Sequence, residues 1–272
     1  MPTFKPTTND SAVQSADSNE NSAQTGRLII NADDWGRDRE TTDRTLDCTG
    51  RGAVSSVSAM VFMEDSERAA AIARDHGIDA GLHLNFTSSF SAPGTSSQLL
   101  DHQKRVSQYL RRHRFSQIMF HPGLMNSFEY VLTAQRDEFV RLYGHEPERI
   151  DGHHHMHLCG NVLFGGLLPS GIIVRRNFSF EHGEKSFGNR CYRQIIDMVL
   201  NKRYRLTDFF FSIQPLVRLD RLERIINLSG HSVVEVETHP QDPAEHSFLT
   251  GEGIDNLVGN YVIASRYDVD PS

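Results

Sequence analysis

Short apolar runs alternate with longer amphipathic stretches from residue 27 onward. Apolar runs bounded by turn residues predict buried strands, whereas apolar positions three and four residues apart predict helices. The alternation is typical of an α/β fold around a largely parallel sheet. Strands are expected at 27–32, 54–62, 79–85, 148–152, 171–175, 207–213 and 232–238, and helices at 40–50, 64–76, 98–117, 126–143, 188–203 and 217–228.

The first 26 residues have a different composition from the remainder. Ser, Thr, Asn, Asp and Gln dominate them, and Phe4 and Val13 are their only sizeable apolar side chains after the initial methionine. Such a segment buries too little surface to offset the entropy of ordering it. We therefore expect 1–26 to be a disordered tail, dispensable for folding and activity, and 27–272 to form one domain. Residues 86–97, rich in Ser, Gly and Pro, are expected to form a loop.

Composition narrows the class of protein. The 272 residues carry a formal net charge of -7, which argues against a nucleic-acid-binding protein that uses a broad basic surface. No apolar run reaches the ~18 residues of a membrane span, and residues 1–10 lack the apolar core of a signal peptide. Three widely spaced cysteines form no CxxC pair, so we expect reduced thiols in a cytoplasmic protein.

Two polar clusters follow the first and third predicted strands. Asp33 and Asp34 come directly after Leu28-Ile29-Ile30, and adjacent buried acids repel one another unless a cation or hydrogen-bond donors neutralise them. They are interpreted either as a helix N-cap or as a metal ligand beside a general base. His83, within GLHLN at 81–85, is either a core histidine or a metal ligand.

Two histidine-containing clusters follow later strands. Residues 151–157 read DGHHHMH, and packing alone does not explain four histidines in five positions, whereas imidazole is the commonest metal ligand. Strand-like alternation would point His153 and His155 the same way, and His157 is also eligible. His239 ends the alternating run 233–238 before a proline. All four clusters lie at the carboxyl ends of predicted strands, where barrels and open α/β sheets place their active sites.

The inventory of side chains suggests metal chemistry. A carboxylate and two imidazoles suit Zn²⁺, Mg²⁺, Mn²⁺ or Co²⁺ and leave positions open for water and substrate. A spare carboxylate such as Asp33 would accept the proton of water, and a histidine such as His239 would protonate the leaving group. This predicts a hydrolase of an amide or ester. The same ligands also suit Fe²⁺ in an oxygenase, so the residues alone leave the reaction open.

Taken together, NADD at 31–34, GLHLN, DGHHHMH and ETHP at 237–240 resemble the YdjC family of carbohydrate deacetylases. The resemblance extends from about Arg27 to the end of the chain. It implies a single-domain, distorted TIM-like (β/α) barrel that removes an N-acetyl group from an amino sugar or oligosaccharide with one divalent metal ion, Mg²⁺ or Zn²⁺. The implied partner is a small N-acetylated sugar, with no nucleic acid and no membrane span, and a homodimer is left open.

The resemblance also assigns roles to individual residues. It places the metal ligands at Asp34, His83 and His153, the catalytic base at Asp33 and the catalytic acid at His239. The other histidines of the tract would then be supporting or structural. Trp35 and Gln241 depart from the family pattern, and both are expected to alter the substrate pocket rather than the metal. Arg175 and Arg176 match no catalytic motif; they would contact a sugar or acidic group, or lie in a solvated loop.

Two further functions stay open beside the deacetylase. His and Asp sites on barrels also serve metal-dependent phosphoesterases, for which phosphate release would be the test. A non-catalytic protein that sequesters metal through its histidine tract is the third alternative. In that protein, Asp33→Asn would leave every measurable property unchanged.

Overall fold

The computed structural model describes residues 26–180, 187–259 and 261–269. The predicted tail therefore lies outside the described residues except for Gly26, whose backbone N–H donates to the carbonyl of Gly230. The division into a tail and a single domain stays a prediction. All seven predicted strands are confirmed, with bounds that differ by a few residues: β1 Arg27–Trp35, β2 Ser56–Ala59, β3 Ala80–Leu84, β4 Arg149–Gly152, β5 Ile173–Val174, β6 Phe209–Ser212 and β7 Val233–Thr238.

The seven strands form one parallel sheet that curls into a half-barrel. Their order across the sheet is β5-β4-β3-β2-β1-β7-β6, so β2 is the middle strand and β5 and β6 are the edges. An isolated bridge between Ile173 and Arg205 links β5 to the chain just before β6. The structure thus confirms the α/β class and the distorted barrel. Because the strands are parallel, their carboxyl ends meet on one rim.

Helices cover the outside of the sheet. The six predicted helices are confirmed as α1 Arg39–Gly50, α2 Ser66–His76, α3 Ser97–Arg112, α4 Met125–Tyr143, α6 Phe187–Asn201 and α7 Leu219–Leu228. Three short helices were not predicted: α5 Gly160–Gly165, α8 Pro243–Thr250 and α9 Glu252–Val258. Helices of one or two turns give too little periodicity for sequence analysis to detect. The loop expected after β3 is confirmed and ends where α3 begins.

The two faces of the sheet differ in polarity. Its outer face packs against the helices through a large apolar core that includes Leu28, Val57 and Leu82. A small apolar cluster that contains Ile29 and Tyr267 lies at the amino ends of the strands. The remaining interior is polar, and its side chains lead to the carboxyl rim. Within the described residues, no helix combines the length and apolarity needed to cross a membrane.

Candidate metal centre

The four polar clusters identified in the sequence meet at the carboxyl rim of the sheet. Asp33 and Asp34 lie at the end of β1, and His83 lies near the end of β3. His153 follows β4 directly, and His239 follows β7. Neighbouring parallel strands end at the same rim, which brings residues distant in sequence to one place.

A bulge at the end of β1 lets the side chains of the two adjacent aspartates point to the same side of the sheet. The pairing of β1 with β2 slips between Ala32 and Trp35, which inserts one extra residue into β1. Asp34 sits in the bulge with a left-handed φ of 65°. Side chains of a regular strand alternate between faces, so without the bulge Asp33 and Asp34 would point in opposite directions. Aspartate tolerates the left-handed region better than most residues.

Asp34, His83 and His153 converge within a small volume. Asp34 Oδ1 lies 3.3 Å from His83 Nε2 and 2.9 Å from His153 Nδ1. One donor atom from each residue lies within 4.8 Å of the other two, and all three side chains are buried. One carboxylate oxygen and two imidazole nitrogens are suitable ligands for a divalent cation. The residues expected to bind metal therefore have both the chemistry and the proximity to do so.

The charges around Asp34, His83 and His153 favour a cation at this place. Burial alone would raise the pKa of Asp34, but hydrogen bonds with His153 and His83 hold it well below its usual value. Burial alone would lower the pKa of His83, but the charges of Asp33 and Asp151 raise it well above its usual value. Both shifts come from attraction between opposite charges: the imidazoles stabilise the Asp34 carboxylate, and the surrounding carboxylates stabilise the His83 imidazolium.

His83 is oriented by Asp151, a residue to which sequence analysis assigned no role. The two are register partners on β3 and β4, so their side chains project from the same face. Asp151 Oδ1 lies 2.8 Å from His83 Nδ1, which leaves Nε2 directed at Asp34. A carboxylate that holds one nitrogen of a histidine while the other faces a metal is a common supporting arrangement in metalloproteins.

Arg175 is the second residue that sequence analysis did not place. Its guanidinium is fully buried and donates to both carboxylate oxygens of Asp33, at 2.7 and 2.8 Å. It also contacts Asp151 at 2.9 Å and Glu235 at 2.7 Å. The solvated-loop alternative is therefore wrong for Arg175, although the acidic-group alternative is correct. Arg176 is less buried and pairs with Asp197 instead.

The histidine tract turns sharply and does not continue as a strand. His154 and His155 have left-handed φ values of 55° and 58°, and the segment His153–Leu158 forms 3-10 turns. The expectation that His153 and His155 point the same way is wrong. His153 faces Asp34, whereas the Nε2 atom of His155 lies 3.6 Å from Glu237. Nε2 of His157 lies 2.9 Å from the carbonyl oxygen of Arg175.

His239 lies at the open side of the centre. Its Nε2 is 3.6 Å from Oε1 of Glu237, and its side chain is 33% exposed. Asp33, Glu237 and His239 form a second set with donor atoms within 4.8 Å of one another. The residues expected to act as base and acid thus lie beside the candidate metal ligands, with one of them open to solvent.

Comparison with known proteins gives the family. The YdjC-like protein family matches residues 27–258. The chain belongs to the YdjC-like family. A chitooligosaccharide deacetylase from Yersinia enterocolitica is 28% identical over 222 residues, 78% of this chain and 81% of the relative. A carbohydrate deacetylase from Danio rerio is 29% identical over 162 residues, which cover 58% of this chain and 51% of the relative.

Several of the matches to this YdjC-like chain are partial. The chain spans about half the length of several curated relatives, such as a chitooligosaccharide deacetylase from Serratia marcescens, with 30% identity over 132 residues and 50% of that protein covered. A solved structure from Enterococcus faecalis, described as a candidate cellobiose-phosphate cleavage protein, aligns with a TM-score of 0.63 at 18% identity. The alignment covers 88% of this chain and 96% of that one, and it supports the shared fold.

Two positions that depart from the expected pattern have different environments. Trp35 is fully buried in the apolar core, so the expectation that it shapes the substrate pocket is wrong. Gln241 Nε2 donates to Oδ2 of Asp34 at 3.1 Å. Gln241 therefore contacts a candidate ligand directly, and its expected effect on the substrate pocket stays a prediction.

Proposed function

We propose that this chain is a metal-dependent carbohydrate deacetylase that hydrolyses the N-acetyl amide of an amino sugar or oligosaccharide. The observation that carries the proposal is the convergence of Asp34, His83 and His153, whose donor atoms lie within 4.8 Å of one another. Their chemistry suits Zn²⁺ or Mg²⁺. The names of the relatives support the deacetylase over a phosphoesterase, although most alignments span only half of those proteins.

The proposed mechanism gives each side chain a separate role. A divalent cation held by Asp34, His83 and His153 would polarise the acetyl carbonyl and acidify water. Asp33 would accept a proton from the attacking water as the new C–O bond forms. Arg175 and Asn31 hold the Asp33 carboxylate in place through hydrogen bonds of 2.7–2.8 Å. His239 would donate a proton to the nitrogen as the C–N bond breaks, which releases acetate and the free amino sugar.

A cavity of about 500 Å³ beside the histidine tract offers room for the sugar. Its lining includes His154 and His155, which follow the candidate ligand His153 in the chain, together with Asn177, Phe178 and Arg193. An apolar ring beside hydrogen-bonding groups suits a pyranose, which has an apolar face and a polar edge. The volume lies within the usual range for small-molecule sites.

Acetate and phosphate release tests the proposal. The purified chain is incubated with N-acetylated mono- and oligosaccharides and, separately, with phosphate monoesters. We expect acetate from at least one N-acetylated sugar and no phosphate. Asp33→Asn should abolish acetate release while its metal content stays normal. Phosphate release without acetate would favour the phosphoesterase, and an unchanged Asp33→Asn would exclude the proposed catalytic role.

A further inference from the structure

Two glutamates of β7 point into the polar interior but have very different surroundings. Glu235 is fully paired: Oε1 accepts from Arg175 Nε at 2.7 Å, and Oε2 accepts from the hydroxyl of Tyr267. Glu237 is two residues further along and therefore on the same face of the strand. It is also buried, yet its Oε2 has no hydrogen-bond partner among the residues that the structure describes.

The unpaired oxygen of Glu237 costs stability. A buried polar atom without a partner loses its hydration and gains nothing in return. The only ion-pair contacts of this oxygen among the described side chains are long: Arg175 Nη1 and His155 Nε2 each lie 3.6 Å from Oε2. Burial and the negative charge of Asp33 raise the pKa of Glu237 well above its usual value. Arg175 already makes shorter contacts, of 2.7–2.9 Å, with three other carboxylates, so the fold gains little from the Glu237 carboxyl group, and this points to a role at the site.

The carboxyl group of Glu237 stands directly behind the His239 imidazole. Oε1 lies 3.6 Å from Nε2, within the distance of an ion pair when the imidazole is protonated. Asp33 of β1 completes this group. Glu245 of α8 accepts a hydrogen bond of 2.6 Å from the backbone N–H of His239, which fixes the main chain and leaves the ring to other contacts.

We propose that Glu237 is a positioning residue for His239, holding the Nε2 edge of the imidazole toward Asp33. The inference rests on the proposed function, in which His239 is the general acid. Glu235 has a different role, because it pairs with Arg175 and Tyr267 and stabilises the barrel. Two glutamates of one strand thus have different roles: Glu237 serves catalysis, and Glu235 serves folding.

Stability provides the first test. Glu237→Leu removes a buried oxygen that has no partner, so its Tm should equal or exceed that of the unmodified chain. Glu235→Leu leaves Arg175 Nε and the Tyr267 hydroxyl without their hydrogen-bond acceptor, so its Tm should fall by about 3 °C or more. A comparable fall in Tm for both variants would assign Glu237 a structural role and overturn the proposal.

Substrate dependence provides the second test. Glu237→Leu should lower kcat on an N-acetyl sugar by roughly 10- to 100-fold with little change in KM, as for other groups that orient a functional side chain. An activated acetate ester should be much less affected, because its leaving group needs no proton. Glu237→Gln, which keeps a polar group in place, should recover most of the rate. Glu235→Leu, assayed well below its Tm, should leave the ratio of the two rates unchanged.

A double variant tests whether Glu237 acts through His239. If Glu237 acts through His239, Glu237→Leu should have no further effect in a His239→Ala background. An undiminished effect in that background, or an equal loss on both substrates, would overturn the proposal.

NMR of the His239 ring nitrogens supplies a readout independent of turnover: Glu237→Leu should shift these signals, and Glu235→Leu should not. Absence of acetate release by the unmodified chain would count against the proposed function, whereas unshifted signals would count against Glu237.

Discussion

A single side chain, Arg175, holds the polar interior together. Its guanidinium contacts Asp33, Asp151 and Glu235 at 2.7–2.9 Å. These carboxylates come from three different strands, β1, β4 and β7. The planar guanidinium with its five N–H donors suits such multiple pairing, which the ammonium group of lysine could not reproduce. The charge of Arg175 is also what allows so many acids to be buried together.

Removing Arg175 should therefore be costly. Arg175→Met leaves several buried carboxylates without their cation, and we expect a loss of about 3–5 kcal/mol in the free energy of unfolding. Arg176→Met is the matched control, because Arg176 pairs with Asp197 in a more exposed position. Its loss should be smaller, about 1–2 kcal/mol, because Arg176 is partly exposed and pairs with a single carboxylate. Urea denaturation measures both, and equal losses would contradict the central place given to Arg175.

His239 provides the residue-scale test of catalysis. His239→Ala should slow hydrolysis of an N-acetyl sugar by roughly 10²- to 10⁴-fold, the usual range for a general acid, and an activated acetate ester much less. A poor leaving group such as an amine must be protonated to depart. Steady-state rates on both substrates, with metal content checked, measure the difference. An equal loss on both would instead assign His239 to substrate binding or oxyanion stabilisation.

At the scale of elements, regular strands were predictable and local irregularities were not. The apolar runs were sufficient to predict all seven strands, because a buried parallel strand has a strong hydrophobic signature. The bulge at Asp34 and the left-handed turn at His154 and His155 have no such signature, because aspartate and histidine tolerate the left-handed region but do not require it. These two irregularities decide which side chains face the metal centre. The sheet could therefore be predicted from the hydrophobic pattern, whereas selecting the candidate ligands required the resemblance to a family.

Gly81 of β3 illustrates how tightly the elements pack inside the barrel. A Cβ at this position would lie 2.3 Å from Cγ of Arg149, whose side chain crosses from β4. Gly81→Ala should therefore destabilise the fold by about 1–3 kcal/mol, the usual cost of overpacking. Gly50→Ala is the control, because a Cβ there meets no atom within 4 Å. Thermal unfolding of both variants tests this, and an unchanged Tm for Gly81→Ala would contradict the packing.

Across the whole molecule, the interior of the barrel could not be predicted from local sequence. Arg175 was recognised as a charged residue after a strand, but its partners lie 24 to 142 residues away along the chain. Only the order of the strands brings them together. The same applies to Glu237, whose alternation predicts a strand yet says nothing about its missing hydrogen bond. The sequence therefore reveals which residues can perform chemistry, and the topology decides which of them meet.

Global stability should depend on pH through His157. Burial lowers the pKa of this imidazole to about 4, so it stays neutral in the fold, whereas in the unfolded chain it takes up a proton near pH 6.5. Its contribution is therefore complete above about pH 6.5 and is lost as the pH falls toward 4, a loss of about 3 kcal/mol. His157→Gln keeps a donor for the Arg175 carbonyl without titrating. Urea denaturation between pH 7 and 4 should show a shallower decline for the variant, and identical slopes would contradict the assignment.

The most direct test of the metal centre is acetate release from an N-acetylated sugar as metal is returned to chelated protein. Release should fall to the uncatalysed rate after chelation. It should then rise with added Zn²⁺ or Mg²⁺ to a plateau at one ion per chain, because Asp34, His83 and His153 form one set of ligands. His83→Ala, with one ligand removed, should not recover. Full turnover by protein shown to be free of metal would contradict the account.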